Sequence, residues 1–95
     1  MEAELLSAVK YDLGIKSSAK DSDIEENIDA AIEDISRHGV ADSKISRENP
    51  SIRQAVKLYC RAVYNFQGDG ERYAQSYEKY VNGLALDGKF KEAKK

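Results

Sequence analysis

The stretch from Asn49 to Phe66 constrains this chain more than any other, because it reads as a helix with a marked start and an apolar surface too wide for the surface helix of a monomer. Asn49 supplies an N-cap oxygen, and Pro50 falls at the first helical position, where a missing N–H costs nothing. Ile52, Ala55, Val56, Tyr59, Val63 and Phe66 recur at spacings of three and four and define one helical face. Leu58, Cys60, Ala62 and Tyr64 widen that face on both sides. What stays polar is a narrow basic stripe of Arg53, Lys57 and Arg61, at i, i+4 and i+8. A helix apolar round most of its circumference needs cover on most sides, from its own chain or from a neighbouring subunit.

The flanking segments supply helices to cover it. Leu5, Leu6, Val9 and Leu13 share a helical face between Glu2 and Leu13, with Glu2 and Glu4 in the first turn and Gly14 just past the end. A polar connector, residues 15 to 20, leads to Asp21, Ser22 and Asp23, which offer capping oxygens for a second helix, Ser22 with Glu25 or Glu26 in a loose capping arrangement. Ile24, Ile28, Ala31, Ile32 and Ile35 form its apolar face, which ends at His38 and Gly39. Residues 40 to 48 form a second connector, with Ile45 placed to plug back into the core. After the central helix, Gly68 reads as a C-cap glycine and Asp69 as the cap of a last helix, about Glu71 to Leu86, bearing Tyr73, Tyr77, Tyr80, Val81 and Leu84 on one face. The expectation is an all-α bundle of about four helices with an antiparallel C-terminal helix hairpin, residues 1–86, followed by a short basic tail, residues 87–95.

At 95 residues the chain is one domain. Its aromatics are six Tyr and two Phe with no Trp, a set suited to half-buried sites and interfaces. The N-terminus is acidic where a signal peptide is basic, and no apolar run has the length of a membrane span, so a soluble intracellular protein with no membrane partner is expected. The net charge of −2 is unevenly spread. Residues 1–48 carry 12 Asp and Glu against 6 Lys and Arg, a net of −6; residues 49–95 carry 5 against 9, a net of +4. Two solvated helix faces of opposite sign would produce this, and so would a head-to-tail contact in which the acidic side of one subunit meets the basic side of the next.

Few residues offer chemistry. Glu25, Asp29 and Glu33 make an i, i+4, i+8 carboxylate row, but without the glycine-centred loop of a calcium site or the pocket of an acid-base pair it reads as a solvated face. His38, the only histidine, falls in a last turn, where a partly protonated imidazole interacts well with a helix C-terminus. Cys60, the only cysteine, reads as a small buried hydrophobe. Gln67 to Gly70 is too short for a phosphate-binding loop. The tyrosine stripe packs rather than stacks bases, and the lysine-rich tail around Phe90 is either solvated or a docking segment. No cofactor or metal is expected.

The order of elements, a short helix ending LGI, a second ending RHGV, then ENPSIRQAVKLYCRAVYNF and QGDGERYAQSYEKYVNGLAL, resembles the small head-tail connector (adaptor) proteins of long-tailed bacteriophages and their prophage relatives. The likeness runs from Leu5 to Leu86 and is most recognisable from Asn49 to Leu84, where the NP start and the YxxxYxxY helix follow in order. It implies a structural, non-enzymatic protein that forms a homo-oligomeric ring of about twelve subunits beneath a portal protein. Such a ring offers a docking surface to a tail-completion or stopper protein and passes DNA through its channel as cargo. Its place is the head-tail interface of the virion, and the host cytoplasm during assembly. Under that resemblance Arg53, Lys57, Arg61 and Tyr64 are subunit-interface candidates, Glu25, Asp29 and Glu33 are channel-facing candidates that keep DNA from sticking, and Lys89, Phe90 and Lys91 are portal-docking candidates. A small helical DNA-binding regulator is the alternative, although pI 5.4 lacks the usual basic footprint. A small enzyme built on Cys60 and His38 lacks a third group.

Overall fold

Residues 2–87 are described by a computed structural model, and their regular structure is helical throughout, with no strand among the described residues. Helix α1 spans Glu2–Leu13, α2 Asp21–Arg37, α3 Pro50–Val63 and α4 Gly70–Leu86, with single 3-10 turns at Asp42–Lys44 and Phe66–Gly68. Lys89, Phe90 and Lys91 lie outside the described residues.

Local chemistry sets most of the ends. Gly14, at φ +77°, closes α1 with the paired bonds of a Schellman motif: Ile15 N–H donates to the Lys10 carbonyl at 2.9 Å and Gly14 N–H to that of Tyr11 at 3.2 Å. Gly39, at φ +107°, follows the last turn of α2. At the start of α3 the Asn49 side chain accepts from Ser51 N–H at 2.8 Å and Ile52 N–H at 3.4 Å, with Pro50 following as the sequence predicts.

Two caps differ from expectation. Helix α2 starts one residue early, with Lys20 at the cap position and no side-chain capping bond, so Asp21, Ser22 and Asp23 all fall inside the first turn. Asp21 instead holds Lys10 of α1 at 2.7 Å, and the acidic first turn still complements the helix dipole. The other difference is the end of α3. The helix stops at Val63, short of Phe66, because Asn65 enters the left-handed region at φ 50°, ψ 48°. Asparagine tolerates that conformation, and here its side-chain oxygen accepts the Gly70 N–H at 2.8 Å, capping the helix that follows. Asp69, expected as that cap, makes no capping bond and pairs with Arg72 at 3.0 Å.

The core forms around α3, which packs against α1 and α2 and most extensively against α4. Ile52, Ala55, Val56, Leu58 and Cys60 of α3 are buried among Leu5 and Val9 of α1, Ile24, Ile28, Ala31 and Ile35 of α2, and Tyr77, Val81 and Leu84 of α4. The wide apolar surface of α3 is therefore covered within its own chain. Val63, assigned to that surface by spacing, remains 48% exposed because the helix ends there. Ile45 of the second connector packs against the core. The radius of gyration, 13.3 Å, is that of a compact fold of this length.

Two glycines of α4 test this packing in opposite directions. A Cβ at Gly70 would lie 2.6 Å from Asn65 Oδ1 and 3.0 Å from the Ala62 carbonyl oxygen, whereas one at Gly83 meets nothing within 4 Å. Gly70→Ala is expected to destabilise by about 1–3 kcal/mol through overpacking of the turn. Gly83→Ala is expected to stabilise by about 0.4–1 kcal/mol through helix propensity and the entropy of the unfolded chain. Urea midpoints moving apart from that of the parent would show it; a shared direction would contradict the turn geometry.

Candidate functional site

The polar side chains that join helices concentrate at the two ends of α2 and along α3. Near the start of α2, Tyr64 donates its hydroxyl to Asp23 Oδ2 at 2.8 Å and accepts from Asn27 Nδ2 at 2.9 Å. Burial and the Asp23 bond both raise the Tyr64 pKa. Three residues before Tyr64, Arg61 makes a two-pronged pair with Asp12 of α1, Nε to Oδ2 at 2.7 Å and Nη2 to Oδ1 at 2.5 Å. Its guanidinium carbon also lies 5.7 Å from the Phe66 ring centroid and 5.2 Å from that of Tyr73. The Asp12 hydrogen bonds raise the Arg61 pKa further from its ordinary value. A hollow of about 340 Å³ opens beside Tyr64, lined also by Leu13, Ile15, Lys20 and Phe66.

At the far end of α2 four side chains from two helices converge. His38 Nδ1 lies 2.9 Å from the Asp34 carbonyl oxygen, one turn back, and Nε2 lies 3.0 Å from Glu78 Oε1 of α4. Tyr77, in α4, donates its hydroxyl to Asp34 Oδ2 at 2.7 Å and turns its ring edge-on to Tyr59 of α3, centroids 5.3 Å apart. Burial, helped by Asp34, drives the Tyr77 pKa far upward, so the phenol stays a donor. Asp34, Tyr77 and Glu78 wall a second hollow, about 420 Å³, whose floor and rim are Tyr59, Ala62, Val63 and Ala74.

Asp34, His38 and Glu78 each place one ligating atom within 4.8 Å of the others, which makes them the candidate metal ligands among the described residues. Their existing bonds argue against that use. The Asp34 carbonyl engages Nδ1, and the two Asp34 carboxylate oxygens already serve Tyr77 and Arg37, the latter at 3.3 Å. Only Nε2 and the Glu78 carboxylate stay available, and two ligands are fewer than transition-metal sites use.

The residues singled out from sequence are not gathered in one place. Arg53 and Lys57 lie with Pro50 and Gln54 along a shallow groove on the outer side of α3. Arg61 and Tyr64 are committed to Asp12, Asp23 and Asn27 of the same chain. In the acidic row, Arg47 reaches Asp29 at 2.6 Å and Glu25 at 3.5 Å, while Glu33 stays 75% exposed, 3.7 Å from Arg37. Spacing along one helix cannot report partners such as Arg47, Asp12 or Glu78, which come from other elements. The only sequence signal for the His38 cluster was the Asp34 to His38 spacing of one turn.

Searches against family models, curated proteins and solved structures find no match to this chain.

Cys60 is fully buried, and burial pushes its thiol pKa up to about 12. In the folded protein a disulfide reagent at pH 8 is therefore expected to leave it unmodified, with rapid labelling only in denaturant. Labelling of the native state as fast as of a free thiol would show that α3 is not covered as described. Asp12→Ala, which orphans the Arg61 guanidinium, is expected to cost about 1–3 kcal/mol of stability, measured by urea unfolding.

Proposed function

We propose that this chain is a small head-tail connector of a long-tailed bacteriophage or prophage: a non-catalytic subunit of a ring that joins a portal to tail-completion or stopper proteins and passes DNA through its centre. The observation that carries this reading is the order of its sequence elements, LGI, RHGV, the Asn49-Pro50 helix start and the Tyr73, Tyr77, Tyr80 helix, spread over nearly the whole chain. The reading takes α3 and α4 as an antiparallel hairpin, which the short intervening turn favours, and residues 87–95 as a basic tail that engages the portal through Lys89, Phe90 and Lys91.

Burial narrows how such a ring would be held. Because α3 is covered by its own chain, subunit contacts must come from what remains outside: Tyr11, Val63 and Leu86 among exposed apolar residues, with Arg53 and Lys57 on the outer side of α3. Arg61 and Tyr64 then serve the interface indirectly, by fixing α1 and α2 on α3 beneath it. Asp29 and Glu33 are the members of the acidic row with the most exposed side chains, at 69% and 75%, and carry the channel-facing role in this reading.

The second reading, a DNA-binding regulator, draws on two shallow basic grooves on helix exteriors, one with Arg53 and Lys57, the other with Arg72, Gln75, Ser76 and Lys79. The grooves lie on helix flanks, and the net charge of −2 works against phosphate binding.

Light scattering after size exclusion, at high concentration and with a candidate portal protein added, tests the connector reading. A ring-sized particle, or a monomer that shifts wholly onto portal, is expected. A monomer or dimer indifferent to portal, together with a gel shift that weakens steeply with salt, would replace this reading with the second.

A further inference from the structure

The hollow of about 340 Å³ beside Tyr64 is used by neither reading, and its lining is that of a receptacle. Leu13, Ile15 and the rings of Tyr64 and Phe66 make it largely apolar, and Lys20 is the one charged residue that lines it. Its walls are fixed before anything enters. Tyr64 is held by Asp23 and Asn27, and the adjoining Asn65 by the Gly70 N–H. Lys20 also stands at the cap position of α2, where no side-chain capping bond is made, so the positive end of that helix lies at the rim. The acids of its first turn are already engaged, Asp21 by Lys10 and Asp23 by the Tyr64 hydroxyl.

A fitting occupant is apolar and brings negative charge with it. Of Tyr11, Val63 and Leu86, the exposed large apolar residues among those described, Leu86 meets both conditions. It is 75% exposed in the last turn of α4 and is followed by Asp87, so an aliphatic side chain projects at the negative end of a helix with a carboxylate beside it. Tyr11 instead lies between Lys10 and Asp12, of opposite sign, and Val63 lines the other hollow. Leu86 does not reach the hollow of its own chain. That hollow adjoins the turn before Gly70, and Leu86 is at the other end of the 17-residue α4, about 24 Å away along its axis.

We propose that Leu86 of one copy seats in the Tyr64 hollow of the next, with Asp87 and the negative end of α4 facing Lys20 and the start of α2. Knob and hole lie at opposite ends of α4, so the contact is head-to-tail. Each copy keeps a knob at one end and a hole at the other, and repetition closes a ring or extends a filament. The contact deepens the ring reading and rests on it for closure. It leaves Lys89, Phe90 and Lys91 for the portal and Asp29 and Glu33 for the channel. One seated leucine makes a small interface, so a single pair associates weakly and closure of the ring strengthens the whole.

Light scattering over a range of concentrations, on the full chain and two variants, tests it. Leu86→Ser removes the knob, and Ala19→Glu puts a carboxylate in the mouth of the hole. Both positions are exposed, so the urea midpoints of the variants should match that of the parent. The wild type is expected to gain mass with concentration, and each variant alone to need at least about ten-fold more protein for the same gain. Mixed in equal amounts, the variants should form dimers and nothing larger, because the Leu86→Ser copy keeps its hole and the Ala19→Glu copy its knob. A wild type that stays monomeric at millimolar concentration, variants that associate as the wild type does, or a mixture no heavier than its parts would each overturn the contact. Portal binding reads the tail and not Leu86. A chain that binds portal but fails these tests loses the contact and keeps the connector reading; one that passes them but ignores portal does the reverse.

Discussion

Burial of α3 on three sides is the constraint from which the other features follow. A helix with Ile52, Ala55, Val56, Leu58 and Cys60 all inside the fold cannot lie on a surface, and each large aliphatic side chain withdrawn from water contributes about 1.5–3 kcal/mol. Three helices have to be brought to it from both sides of the sequence. The connectors accordingly serve as more than spacers: Ile15, Val40 and Ile45 all pack at or into the core as the chain passes from one side of α3 to the next. Association is not needed to hide the apolar surface, so oligomers of this protein would have to be built on a different, smaller set of exposed side chains.

Apolar packing alone does not determine how the helices are aligned along one another, because ridges can slide. Polar links between elements supply that registration. Asp12 with Arg61 sets α1 on α3, Asp23 and Asn27 with Tyr64 set the start of α2 on the end of α3, and Asp34 with Tyr77 sets the end of α2 on α4. Tyrosine suits this work, since its ring lies in the apolar layer while its hydroxyl reaches a carboxylate at the edge. The abundance of tyrosine in this chain is thus accounted for in part by intramolecular links, and at Tyr64 and Tyr77 needs no partner protein.

How much of this was legible depended on whether the deciding contact was local. Asn49 with Pro50, Gly14 and Gly39 act within a few residues of themselves, and the helix ends that they set were readable. Asn65 and Gln67 were not, because a left-handed conformation at a residue other than glycine is sustained by its surroundings; the Asn65 oxygen is held by the N–H of Gly70, five residues on. Asp21 looked like a cap and is instead claimed by Lys10 of another helix. The His38 cluster joins residues forty positions apart, and periodicity along a chain carries no information at that distance.

The same distinction bears on charge. An excess of acid in the first half and of base in the second suggests two complementary surfaces, but folding spends part of it internally. Arg61 of the second half neutralises Asp12 of the first, and Arg47 neutralises Glu25 and Asp29 within the acidic half. The acidic row, uniform in sequence, is graded in three dimensions: the Glu25 side chain is only 29% exposed, whereas Asp29 and Glu33 project into solvent. Within that row, electrostatic contact would therefore draw on Glu33 more than on Glu25 or Asp29, which Arg47 already engages, and on the basic side on the grooves of Lys57 and Lys79. Exposed pairs of that kind contribute little affinity and much orientation.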